Sequence, residues 1–374
     1  MKSDKGNQIT PLQGAAIVAS SLIGVGILTL PREVAAAAGT DGPLATLLGG
    51  AIAALLLVLL TKLGLRFPGH SLIEYSSIIL GGIVGKLLAL AFIIYWFLLT
   101  AALVRIFGEM VITAILTNTP LELIIGIMLL LGAQLAAQDV KVFARIHEIL
   151  LPLTILPLLF LFLNSINAVN PLHLLPVFAF GPLPLVRGAL ATGLSFLGIE
   201  FILMLLPYYS EPQQAVKYHL YGILIPIILY FTIVTMGLGT FGDTALQYLQ
   251  WPALEQIRLA ALPSIPSVFE RLESIFIGIW VVVIFTSVGS LYLMIILGST
   301  QLLGLGSPRR NRFWHYVPTV PLFFLARLPQ NIIAVETYTE LISKAGTVLI
   351  VAGPGLLYLI ALVRQKKGGG EGNP

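Results

Sequence analysis

Ser21-Leu22-Ile23-Gly24-Val25-Gly26 and Ser195-Phe196-Leu197-Gly198-Ile199-Glu200 echo each other 174 positions apart. Each sets glycine in the middle of an apolar segment long enough to cross a bilayer, and the second adds a carboxylate. Glycine weakens a helix and lets another group approach bare backbone. Interruptions at matching places in two halves of a chain point to a ligand site in bundles built from inverted repeats. The remaining sequence is read outward from these two points.

Of the 374 residues, 57% are hydrophobic and only 10% charged, and mean hydropathy is +0.96. A soluble globular chain carries roughly 25% charged residues, so this composition excludes one and gives an all-α integral membrane protein. A spanning helix needs about 20 largely apolar residues. Ten candidates emerge, at roughly 12–37, 43–65, 84–116, 121–138, 147–164, 184–208, 217–240, 268–303, 314–330 and 341–363. The ninth is the least apolar, with three prolines and Arg327. The first is not expected to be a cleavable leader, because it is long, carries internal glycines and runs into Pro31-Arg32-Glu33.

Ten spans put both termini on one side. With the termini inside, inner segments hold 14 of the 21 basic residues and outer ones 6, with Arg105 left in the membrane. The positive-inside rule therefore places both termini in the cytoplasm. Five spans per half is an odd number, so a duplicated second half inserts upside down. The expectation is a single transmembrane domain over 1–374, with repeat one at about 9–165 and repeat two at about 183–364. The loop 241–267 is expected to form a short surface helix (245–261) capping the outer mouth. The tail 365–374 is low in complexity and expected to be flexible.

Cysteine is absent, which removes disulfides, thiolate nucleophiles and Cys metal sites. The five histidines are scattered and form no metal pair. No Gly-x-Ser-x-Gly elbow, Walker loop or intramembrane Ser–His pair is present, so no catalytic residue, cofactor or metal is assigned and no enzyme is expected. The net charge of +4 reads as basic loops on one face of a bilayer. Without a basic patch interleaved with aromatics, it gives no nucleic-acid surface.

The chemistry rests on the two interruptions. If the chain unwinds at Gly24-Val25-Gly26-Ile27, the following half-helix starts near mid-membrane, with free N–H groups that attract a carboxylate. Carbonyls near Ser20 to Ile23 can accept from an ammonium, so one break can bind a zwitterion without a charged side chain. Glu200, at the second break with Phe196, Leu197 and Gly198, can receive the ammonium, cap the next half-helix, or act as a proton-linked switch. An intramembrane carboxylate is costly and points to function by default. Tyr95 and Leu99 of the third span can wall the site. Arg105 and Glu109, four apart on that span, read as a structural ion pair. Thr286, Ser287 and Ser290 of the eighth span supply either interhelical hydrogen bonds or oxygens for a sodium ion or ligand.

Gly24-Val25-Gly26-Ile27-Leu28 with Pro31 resembles the first-helix signature of the amino acid–polyamine–organocation (APC) superfamily. Ten spans in a five-plus-five inverted repeat, the LeuT-like fold with broken helices 1 and 6, is that superfamily's core. Ile9-Thr10-Pro11-Leu12-Gln13, Phe67-Pro68-Gly69 and Leu72-Ile73-Glu74-Tyr75 make the chain most similar to the B subunit of spore germination nutrient receptors. The resemblance implies a multi-pass protein of the spore inner membrane that assembles with a membrane-embedded A subunit and a C lipoprotein. It implies a pocket including Gly24, Gly26, Tyr95, Leu99, Leu197, Gly198 and Thr286. The expected function is sensing of a small neutral amino acid that triggers germination. The alternatives are a sodium- or proton-coupled amino acid transporter of the same fold and a ligand-gated water or ion conduit. Span five lacks the lysine of some proton-coupled relatives, which argues against active proton coupling.

Overall fold

The computed structural model describes residues 7–24, 26–178, 181–260, 272–305 and 312–364. The tail 365–374 and Val25 lie outside these, as do 261–271 of the long loop. Among the described residues the protein is all helical. Six segments are long and apolar enough to cross a membrane, and shorter apolar helices lie at Pro11–Leu22, Leu121–Ala136 and Ile199–Tyr208. It is a multi-pass membrane protein.

Helix α1 (Pro11–Leu22) starts where Thr10 and Gln13 form a reciprocal cap, with Pro11 in the first turn. The Thr10 N–H donates to Gln13 Oε1 at 3.0 Å and the Gln13 N–H to Thr10 Oγ1 at 3.2 Å. This arrangement satisfies two amides that a helix start otherwise orphans. α2 (Gly26–Ala38) follows after the break, then α3 (Gly42–Leu65). A short α4 (Leu72–Leu80) is capped in the same way by Ser71 and Glu74, and Tyr75 stacks on Phe67 with ring centroids 5.3 Å apart. Two of the sequence signatures that carried the resemblance are therefore helix starts.

Next come α5 (Gly82–Ala114), α6 (Leu121–Ala136) and α7 (Val140–Asn164). The sixth apolar segment is fragmented: α8 (Pro182–Ala191), 3-10 turns at Thr192–Phe196 and Ile199–Phe201, α9 (Ile202–Leu205), and a last 3-10 turn to Tyr208. α10 (Ala215–Leu246) runs past its apolar stretch and kinks at Gly242, whose φ is +73°. α11 (Pro252–Ala260) falls within the expected loop helix but buries Ala253, Leu254 and Ile257, packing on α2 and α12. α12 (Leu272–Leu302), α13 (Thr319–Arg327) and α14 (Ile332–Val363) complete the chain.

Two helices start well before the hydropathy windows, α7 seven residues before 147 and α14 nine before 341. α14 begins nine residues before 341, because the Asn331 side chain accepts from the Ala334 N–H at 2.8 Å and Glu340 pairs with Lys344 one turn on. Hydropathy registers only the lipid-facing part of such a helix. At one end of the bundle the segment before α1 pairs with the end of the sixth segment: the Ile9 N–H donates to the Tyr208 carbonyl and the Ser210 N–H to the Ile9 carbonyl, each at 2.9 Å.

Candidate ligand-binding site

The first break leaves α1 without a helical successor at Ile23, which is extended at φ −78°, ψ 99°. The last carbonyls of a helix need other donors, and here neighbouring helices supply them. The Tyr230 hydroxyl of α10 donates to the Leu22 carbonyl at 2.5 Å and lies 3.2 Å from the Ser195 carbonyl, so one side chain stands astride both breaks. Ser287 Oγ of α12 lies 3.1 Å from the Ile23 carbonyl and 3.4 Å from that of Ser20. The Trp280 indole N–H reaches the Gly24 carbonyl at 3.3 Å. A carbonyl oxygen has two lone pairs, so capped carbonyls can still accept from a ligand.

At the second break Gly198 has φ +112°, a region that side-chain-bearing residues rarely adopt. Glu200, fully buried, closes this turn. The Gly198 N–H donates to one carboxylate oxygen at 2.9 Å and the Trp96 indole N–H to the other at 3.1 Å. Of the roles open to Glu200 in the sequence, its contacts correspond to holding the break open.

Between the breaks lies a cavity of about 50 Å³ lined by Ser21, Leu22, Gly26, Leu99, Ser195, Leu197 and Ser287, with Phe201, Thr339 and aliphatic side chains of α5 and α12. Ser195 is buried, and among the described residues its hydroxyl has no hydrogen-bond partner. Gly26 is required by that neighbour: a β-carbon there would fall 2.5 Å from Ser195 Oγ. At Gly24 the nearest atom would be Ser287 Oγ at 3.5 Å, an ordinary contact.

The structure thus brings Gly26, Leu99, Leu197 and Ser287 to the cavity wall, with Ser20, Ile23, Gly24, Gly198 and Glu200 in the bonded frame around it. Ile27 is buried in the core. Phe196 packs edge-on to Tyr230, ring centroids 5.5 Å apart. Tyr95 packs against Gly346 of α14 and, like Ile27, Phe196 and Thr286, is absent from the lining. Thr286 Oγ1 bonds back to the Val283 carbonyl at 2.8 Å. Val25 lies outside the described residues. Arg105 Nη2 is 2.6 Å from Glu109 Oε1. Among the described residues no cluster of metal-ligating side chains occurs.

Ser290 belongs to a buried relay. Ser21 Oγ donates to Ser290 Oγ at 2.9 Å, Ser290 lies 3.0 Å from His147 Nε2, and His147 Nδ1 lies 2.9 Å from the Phe143 carbonyl. With Nδ1 protonated every member is satisfied, and α1, α12 and α7 are tied together. Sequence reasoning missed His147, Trp96, Tyr230 and Trp280. Each lies on an apolar helix, where only tertiary packing says which polar tip meets which carbonyl.

The family profile described as "Spore germination protein" matches residues 8–333. The chain belongs to the spore germination protein family. It is 28% identical over 361 residues to Spore germination protein YndE of Bacillus subtilis (strain 168), covering 96% of this chain and 98% of that protein. Among solved structures it resembles MhsT in complex with L-phenylalanine (TM-score 0.69, 14% identity, 96% of this chain and 89% of that one). It also resembles Mhp1, a nucleobase-cation-symport-1 family transporter, in a closed conformation (TM-score 0.65, 14% identity, 97% and 80%). The membership places this germination protein outside the enzymes, and the structural likeness gives it LeuT-like fold relatives.

Proposed function

We propose that this germination protein is the nutrient-sensing membrane subunit of a spore germinant receptor, and that it binds a small neutral amino acid between two broken helices. The reading takes the chain as ten crossings in two inverted halves of five, both termini on the cytoplasmic (spore core) side, working with an A subunit and a C lipoprotein. The observation that carries it is the cavity at the meeting of the breaks, with Ser195 in its wall and its hydroxyl without a hydrogen-bond partner among the described residues. One water occupies roughly 10–15 Å³ on this measure, so about 50 Å³ suits a ligand the size of alanine. The start of α2 offers N–H groups to the carboxylate, and the carbonyls ending α1 face the ammonium.

In a sensor the ligand acts by binding one arrangement of the bundle better than another. The test is L-alanine binding to the purified full-length chain in nanodiscs, followed by counterflow in liposomes. Wild type is expected to bind, and Ser195→Ala to weaken binding about three- to ten-fold, the loss of one hydrogen bond. Unchanged affinity in Ser195→Ala would move the ligand elsewhere. Rapid counterflow would replace the sensor by a carrier, and flux far above carrier rates by a conduit.

A further inference from the structure

Ser21 stands in the wall of the central cavity, on the last turn of α1. A serine hydroxyl has one proton and two lone pairs, so it can meet a ligand as donor or as acceptor. For Ser21 that choice is made at the far end of the buried relay. The Phe143 carbonyl, 2.9 Å from His147 Nδ1, can only accept, so Nδ1 carries the proton. The imidazole is fully buried and packs 4.2 Å from the Phe143 ring. The adjacent carboxylate, Glu148, is turned to the Gln13 amide, which donates to it at 3.0 Å.

A neutral ring with Nδ1 protonated presents Nε2 as an acceptor. Ser290 Oγ, fully buried and 3.0 Å away, donates to it. Its one proton is then committed, and along its 2.9 Å contact with Ser21 Oγ it can only accept, so Ser21 donates. The sense of each bond is fixed from the Phe143 backbone to the cavity wall. Ser21 keeps lone pairs and has no proton left to offer a ligand. Ser20, one position earlier, instead donates to the Ala16 carbonyl of its own helix at 2.7 Å, the usual solution for a helical serine.

We propose that His147 is a positioning residue for the ligand: through Ser290 it holds Ser21 as an acceptor, which assigns the ammonium to the α1 side of the cavity and the carboxylate to the start of α2. The inference rests on the central cavity as the ligand site. The dipole of α1 acts in the same sense, because its C-terminal end is negative and Ser21 lies in its last turn. The relay thus selects an amine over an anion at this wall without a charged side chain.

The probes are L-alanine, ethylamine (alanine without its carboxylate) and propionate (alanine without its ammonium). The last two compete with labelled L-alanine on the full-length chain in nanodiscs. His147→Leu removes the acceptor and lets the relay run either way. It should weaken L-alanine and ethylamine about three- to ten-fold, the loss of one hydrogen bond, and leave propionate unchanged. Ser290→Ala should repeat this pattern. His147→Gln, whose amide oxygen can accept from Ser290, should bring amine binding back to within about two-fold of wild type. Equal losses for all three probes in His147→Leu, or no loss, overturn the proposal. Nitrogen NMR of the ligand-free chain labelled on its five histidines gives a reading that needs no binding: His147 should show a protonated Nδ1 and a bare Nε2, and a protonated Nε2 overturns the relay. If Ser195→Ala weakens L-alanine while His147→Leu and Ser290→Ala do not, the relay falls and the central site stands. If L-alanine ignores Ser195→Ala while His147→Leu still separates ethylamine from propionate, the central reading falls and the relay stands.

Discussion

Glu200 is a fully buried carboxylate in a membrane domain, and the two donors that hold it give it a measurable role. Its oxygens accept from the Trp96 indole and the Gly198 amide. A glutamine can accept from only one of them, because its other terminus is itself a donor. Glu200→Gln should therefore cost about 1–3 kcal/mol, the penalty for an unsatisfied buried donor. Thermal unfolding of the purified protein in detergent measures it; an unshifted midpoint would mean that this carboxylate does not hold the break.

At the scale of elements, the two broken helices depend on side chains from α10 and α12 more than on each other. Tyr230 bridges Leu22 and Ser195, while Ser287 and Trp280 take the carbonyls of Ile23 and Gly24. The two glycines of the first break then differ in kind. A methyl group at 26 meets Ser195 Oγ at 2.5 Å and the Tyr230 hydroxyl at 3.0 Å, whereas at 24 it meets nothing closer than 3.5 Å. Gly26→Ala should cost about 1–3 kcal/mol through overpacking and abolish alanine binding. Gly24→Ala should leave stability within about 1 kcal/mol of wild type. Unfolding and binding on both variants check the contrast, and equal behaviour would remove the crowding argument.

The whole molecule is sealed unequally at its two ends. At one end, Ile9 pairs with Tyr208 and Ser210, and the Tyr209 hydroxyl, His219 and Thr61 form a buried chain with steps of 2.8 Å. At the other, a cavity of about 400 Å³ between α2, α8 and α14 reaches down to Ile106 and Thr339, which also line the central cavity. The native chain has no cysteine, so single thiols report access cleanly. A membrane-impermeant thiol reagent applied to intact cells should label Ser343→Cys in the wall of that cavity. It should reach exposed Lys62→Cys only after permeabilisation, and spare Ala16→Cys, which is 5% exposed, until denaturation. Labelling of Lys62→Cys in intact cells would invert the proposed orientation.

The all-helical membrane class and the positions of both interruptions were legible in the chain, because apolar length and mid-span glycine act locally. The caps at Thr10 and Ser71 are as local, within four residues of sequence, but enter the sequence reading only as motifs of the resemblance. Which polar tips meet at the breaks was not: Tyr230 lies 208 positions from Leu22 and Trp96 104 from Glu200, and nothing in an apolar run fixes the rotation of one helix against another. For the same reason Tyr95, whose spacing suited a pocket wall, turns toward Gly346, while Ser195, quoted at the outset only as part of an echo, comes to face the cavity. Local sequence sets where backbone hydrogen bonding must fail, and packing alone decides which groups answer it.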